Sequence, residues 1–340
     1  AVPRSALAGM LTLAPLVLAR DCFRADAVGA PATETAATTW SLADCTTLNF
    51  SCTGNSSVPA AESGKLCENA LQAGEVTSLT EALKSDAPNL VSLELRGNWV
   101  GPLKGAALAT ALQAHPSLAF LGLASTALGD VGGTALARRL LLQDAPATLR
   151  RIDLSHNHLG DDCARALAES LKAEDGLPLS SLDLSWNGIG PRGGRYLGDA
   201  LKVNDALLEL RLRWNGLQDR GARALGEGLA LNRVLGELQL QHNAIKDAGG
   251  KALAAGLRNN SALRALKVEH NGISPTVSEQ LRAALELQPA LPPLEPRRER
   301  GSAAAQAEPA VYTRDSAAAE ADDGDVEEIS FDDDGEKEEL

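Results

Sequence analysis

Leu182-Asp183-Leu184-Ser185-Trp186-Asn187 and Leu210-Arg211-Leu212-Arg213-Trp214-Asn215 repeat one pattern 28 residues apart. Working outward, the pattern returns at Ile152–Asn157, Leu121–Thr126 and Leu93–Asn98, and on the other side at Leu238–Asn243 and Leu266–Asn271. A further Leu stands three residues before each: Leu90, Leu118, Leu149, Leu179, Leu207, Leu235 and Leu263. From Asn98 the steps are 28, 31, 30, 28, 28 and 28 residues. Seven matches at a near-constant period mark a repeat architecture.

Leu-x-Leu alternates with period two, so each match is a short strand with its Leu side chains on one face. The Asn that follows can bond backbone groups where the chain turns out of the strand. Stacked repeats then form an amide ladder, which Thr126 breaks once with a weaker hydroxyl. The second half of each repeat carries Leu at i and i+4, as in Leu225 and Leu229 or Leu253 and Leu257, which marks one buried helical face. Gly221 and Gly249 precede those faces, where the chain must pass close to its neighbour. One repeat cannot cover its own Leu face, but stacked repeats can, at roughly 1.5–3 kcal/mol per Leu buried. The expected fold is α/β: a solenoid (horseshoe) with parallel β-strands on the concave face and helices on the convex face.

These repeats resemble the ribonuclease-inhibitor-like leucine-rich-repeat family, in the 28-residue form found in Ran GTPase-activating proteins and NOD-like receptor proteins. The resemblance implies a non-catalytic protein that binds another protein through its concave face and rims. It also implies an alternative, a GTPase activator resembling the Ran GTPase-activating proteins, which share the repeat type and an acidic C-terminal tail. No catalytic residue of that family maps onto a position here.

The expected divisions are a signal-like leader over 1–27, an N-terminal cap with a degenerate repeat and a Cys cluster over 28–89, and seven regular repeats over 90–288. A Pro/Arg linker over 289–314 and an acidic tail over 315–340 follow, the tail with too little apolar content to fold. It holds 13 Asp and Glu against Lys337, which leaves the rest of the chain at −1 of the total −13. Nothing resembles a phosphate-tracking surface, so no nucleic acid is expected as partner. The tail reads first as solubilising; weak Ca2+ binding by its clustered carboxylates is an alternative. The apolar run Leu7–Leu18 behind Arg4 has the layout of a secretory signal and is too short for a membrane span. Lys337-Glu338-Glu339-Leu340 resembles an endoplasmic-reticulum retrieval signal. Together they point to the endoplasmic reticulum lumen or secretory pathway, with the cytoplasm as the alternative. Cleavage before Arg20 would leave Cys22, Cys45, Cys52 and Cys67, enough for two disulfides with the pairing open, whereas cleavage after Ala27 would remove Cys22 and leave an odd thiol. Asn55 is the sequon expected to carry a glycan.

No nucleotide, metalloprotease or serine-hydrolase motif is present, and no cofactor or enzymatic activity is expected. His156, His158, Asp161 and Asp162 form a local cluster, but the register aligns His156 with Trp186, Trp214, His242 and His270. A stacked column explains them better than a metal, and Asp161 and Asp162 fit a helix start. The candidate binding residues on the concave face are Glu94, Arg96, Asp153, Asp183, Trp186, Glu209, Arg211, Arg213, Trp214, Gln239, Lys267 and Glu269. Arg211 and Arg213 flank the Trp pair, and Arg and Trp are common interface anchors.

Overall fold

A computed structural model describes residues 47–50, 71, 73–85, 89–113, 115, 117–141, 148–173 and 179–286. The leader, Cys22, Cys45, Cys52, Cys67, Asn55, the linker and the tail lie outside the described residues. Eight strands alternate with eight helices there: β1 (Thr47–Asn49), α1 (Ala73–Ser85), β2 (Ser92–Glu94), α2 (Gly101–Leu112), β3 (Phe120–Gly122) and α3 (Gly129–Leu136). They continue with β4 (Arg151–Asp153), α4 (Asp161–Lys172), β5 (Ser181–Asp183), α5 (Pro191–Leu201), β6 (Glu209–Arg211) and α6 (Gln218–Leu231). The last are β7 (Glu237–Gln239), α7 (Asp247–Leu257), β8 (Ala265–Lys267) and α8 (Pro275–Glu286).

The strands make one parallel sheet in chain order, β1 to β8. Register follows the repeat: Leu48, Leu93, Leu121, Ile152, Leu182, Leu210, Leu238 and Leu266 stand side by side. From Leu48 to Leu238 they are at most 2% exposed, packed against helical Leu on the far side. The degenerate repeat is therefore a full layer, with Leu48, Phe50, Leu71, Leu79 and Leu83 in the same core. Where the period lengthens to 31 residues, α3 runs on into a π-helical turn, Ala137–Leu141.

Three rows of polar side chains tie layer to layer. The first is the expected Asn ladder. Asn157, fully buried, donates from Nδ2 to Leu123 O at 2.6 Å and Ser155 O at 3.0 Å, and its Oδ1 accepts from Thr126 N at 3.0 Å and Leu128 N at 3.2 Å. Thr126 fills the gap in part, its hydroxyl 2.7 Å from Leu123 O and 3.0 Å from Asn157 Oδ1.

The second row was not legible as such. Asp161 does begin α4, but its carboxylate serves the following helix: Oδ1 accepts from Gly190 N at 2.8 Å and Gly193 N at 2.7 Å. Asp130 does the same for Gly160 and Cys163, and Asp219 for Lys246 and Gly249. These acids therefore cap a neighbouring helix rather than their own. Asp161→Ala should cost about 1–2 kcal/mol and Asp161→Asn only a few tenths, read as urea midpoints.

The third row lies where helices hand over to strands. Asn232 Nδ2 donates to Leu201 O at 2.8 Å while its Oδ1 accepts from Leu235 N at 2.7 Å. Asn204 and Asn260 repeat this, and His115 takes the same place with Nε2 bonded to Leu83 O at 2.7 Å. Cys163 is free and buried, and burial beside the Asp130 carboxylate pushes its thiol far above the ordinary range. A methyl on Gly133 would meet its Sγ at 2.7 Å, so packing defines its role.

Candidate functional site

The sheet face turned away from the helices carries the strand-flanking side chains, and its charges are largely matched. Gly122 puts no side chain between Glu94 and Asp153, so the Glu94 carboxylate fills the space a Cβ there would take. Across the same gap Arg96 reaches Asp153, two strands away, at 2.5 Å. Arg211 pairs with Glu209 at 2.5 Å and lies 3.4 Å from Asp183, and Lys267 pairs with Glu237 at 3.1 Å. Burial alone would raise the Glu237 carboxyl, but bonds from Gln239 and Lys267 overcome it and hold the group below its ordinary range. Gln239, expected on the accessible face, is only 7% exposed, because its amide turns in to donate to Glu237 Oε1 at 2.8 Å. Glu269 and Arg213 are exposed, and Arg213 has no ion pair among the described residues.

At the rim where strands exit, the aromatic column stacks as the register implies. Centroid separations are 5.0 Å for His156–Trp186, 4.2 Å for Trp186–Trp214, 3.8 Å for Trp214–His242 and 4.4 Å for His242–His270. The ring planes lie within 16° of parallel. Trp186 and Trp214 nonetheless stay 41% and 40% exposed.

The sequence does not reveal that all five residues sit in the left-handed region, at φ from 54° to 57°. For a side-chain-bearing residue this costs roughly 1–2 kcal/mol, while a stacked pair returns roughly 0.5–1.5 kcal/mol. Ser125, Ala127, His158 and Ala244 take the same region in the equivalent turns, so this cost belongs to the turn rather than to the aromatics. Gly97 and Ser125 occupy the same turn in earlier layers, so the turn itself does not require an aromatic.

Burial and the nearby Arg96 guanidinium lower the His156 pKa from its ordinary 6.5, against opposing pulls from Asp153 and Asp183. Folded His156 thus holds fewer protons than unfolded His156 in the window below 6.5. Its contribution is present above 6.5 and is lost as pH falls through the lowered value. His156→Phe, which keeps the stack, should flatten that dependence in urea melts on either side of the window.

Among the described residues no group of three or more His, Cys, Asp or Glu could hold a metal ion, and no helix is long and apolar enough to cross a membrane.

Comparison with known proteins places these layers. The Leucine Rich repeat family pattern matches residues 145–168, 178–198, 204–226 and 231–254. The Tonsoku-like protein of Bos taurus is 41% identical over 107 residues, which are 32% of this chain and 8% of that protein. The NACHT, LRR and PYD domains-containing protein 3 of Rattus norvegicus is 33% identical over 141 residues, 34% of this chain and 14% of that protein. The chain thus spans less than a sixth of the length of these relatives. Among solved structures, the leiomodin-1 actin-binding site 2 aligns at 16% identity and a TM-score of 0.36, covering 54% of this chain and 86% of that one. The Leu-x-Leu strands, the Asn ladder and the parallel sheet in chain order fit an α/β leucine-rich-repeat solenoid, and the family pattern marks four of its repeats between residues 145 and 254.

Proposed function

We propose that this chain binds another protein through the free face of its sheet and the strand-exit rim, with Trp186, Arg213 and Trp214 at the centre. The observation that carries this reading is the stacked aromatic column, whose Trp186 and Trp214 stay 41% and 40% exposed beside the exposed Arg213. We further assign the repeats to the ribonuclease-inhibitor-like kind. The 28-residue step and the full helix after each strand support that subtype, as does the match to a NACHT and LRR protein.

Trp214→Gly separates binding from folding. Glycine takes the left-handed turn freely, as Gly97 does, so relieved strain offsets part of the two lost stacks and the lost ring burial. A net loss of about 2 kcal/mol, read in a thermal melt, should leave the repeats folded. Binding should fall about tenfold or more, as for a central interface Trp. Partners captured by photo-crosslinkers placed at Arg213, purified and titrated against both forms, provide the measurement. Equal affinity for the Gly variant would sink the reading.

A further inference from the structure

Arg213 belongs to a row of equivalent positions that the turns bring side by side. Trp186 N donates to Arg213 O at 2.7 Å, and Trp214 N donates to Gln241 O at 2.9 Å, so Ser185, Arg213 and Gln241 are consecutive across three strands. The row is chemically unfinished. Ser185 is 1% exposed and its hydroxyl has no hydrogen-bond partner, although Ser155, its equivalent one layer back, bonds Asp153 at 2.7 Å. Gln241 Oε1 is likewise buried without a donor. Between them stands Arg213, exposed and without an ion pair among the described residues, whereas Arg96, Arg211 and Lys267 on the same face each have one. Buried polar atoms are nearly always bonded, so two orphans flanking an unmatched cation mark a place that something else completes.

We propose that this row takes an acidic, extended segment of the partner protein, with one carboxylate seated on Arg213. The inference rests on the protein-binding reading above and adds the chemistry of what is bound. The carboxylate accepts from the exposed Arg213 guanidinium. Ser185 Oγ and Gln241 Oε1 are closed to solvent in the free chain. A shift of the Arg213 side chain on binding opens Ser185 Oγ to donate to the same carboxylate and Gln241 Oε1 to accept from a main-chain N–H of the segment. Parallel strands lie about 4.8 Å apart, so Ser185 and Gln241 are separated by about 10 Å, some three residues of extended chain. An apolar side chain beside the acid lies over the open edges of Trp186 and Trp214. A polyanion fits poorly, because Asp183, Glu209, Glu237 and Glu269 share the face and would repel every charge beyond the one Arg213 takes up.

The test is selection of a random displayed peptide library on the full chain, followed by titration of the enriched peptides using Trp fluorescence. Enriched sequences should carry Asp or Glu beside an apolar residue. Arg213→Gln and the peptide's own acid-to-amide change should each weaken binding about tenfold, and the two together little more than either. Thermal melts confirm that Arg213→Gln folds as the parent does. Binding unchanged by Arg213→Gln but abolished by Trp214→Gly would overturn the carboxylate assignment and leave the protein-binding rim standing. Binding indifferent to both would overturn the rim as well. A single-stranded oligonucleotide that competes at Arg213 where acidic peptides do not would replace the proposed partner with a nucleic acid.

Discussion

Asn157→Ala is expected to destabilise the repeats by about 4 kcal/mol, among the largest losses available to one substitution. The residue has no exposure, and its side chain bonds backbone groups of two layers: Leu123, Thr126 and Leu128 in the layer before, and Leu154 and Ser155 in its own turn. Alanine leaves those carbonyls and amides buried and unpaired, which costs roughly 1–3 kcal/mol for each group that cannot find water. Asn157→Thr should lose less, because Thr126 already shows that a hydroxyl can hold the carbonyl three residues back, its Oγ1 2.7 Å from Leu123 O. The converse change, Thr126→Asn, should be neutral or gain about 1 kcal/mol by restoring the ladder. Denaturant melts of the three variants rank them. Because the layers pack chiefly on their immediate neighbours, the loss at Asn157 should also appear as faster amide exchange in β3 and β4 before β7 is affected.

The second large effect is expected at Gly256. A Cβ there would lie 2.1 Å from Gly226 O and 2.7 Å from Gly226 C, so α6 and α7 must move apart before any side chain fits. Alanine is the better helix former by about 1 kcal/mol, yet overpacking against backbone costs more than that. The net for Gly256→Ala is a loss of about 2 kcal/mol, and Gly256→Val loses more. Gly216→Ala is the control, since its new methyl would meet only Ile189 O at 3.8 Å. Thermal melts that showed Gly256→Ala as stable as the parent would mean that the helices are not held at backbone contact.

Local pattern carries much of this architecture. Leu-x-Leu fixes strand, face and register together, because a one-residue slip would expose Leu93, Leu182 and Leu210 at once. The column from His156 to His270 was equally legible, since residues at one register position of a stacked repeat must become neighbours. What escaped were relations in which a side chain serves a different layer. Asp130, Asp161, Asp219 and Asp247 each stand four residues after the ladder position, a regularity visible in the sequence. Helix-start logic alone, however, assigns each to its own helix, not to the next one. Asn204, Asn232 and Asn260 also recur at 28 residues, but polar residues after a helix read as ordinary loop. Arg96 reaches Asp153 only because Gly122 puts no side chain between them, a consequence of what the intervening strand lacks. Likewise the inward turn of Gln239 depends on Glu237 beside it, and its residue type alone suggested an accessible contact.

The most direct test of the central claim is a hydrogen-exchange footprint of the full chain with and without a captured protein partner. Slowed exchange should fall on the strand-exit turns around Trp186, Trp214 and His242 and on Arg211–Arg213, with the outer surfaces of α5, α6 and α7 unchanged. Protection confined to those helices, with the aromatic rim exchanging as in the free chain, would contradict the account.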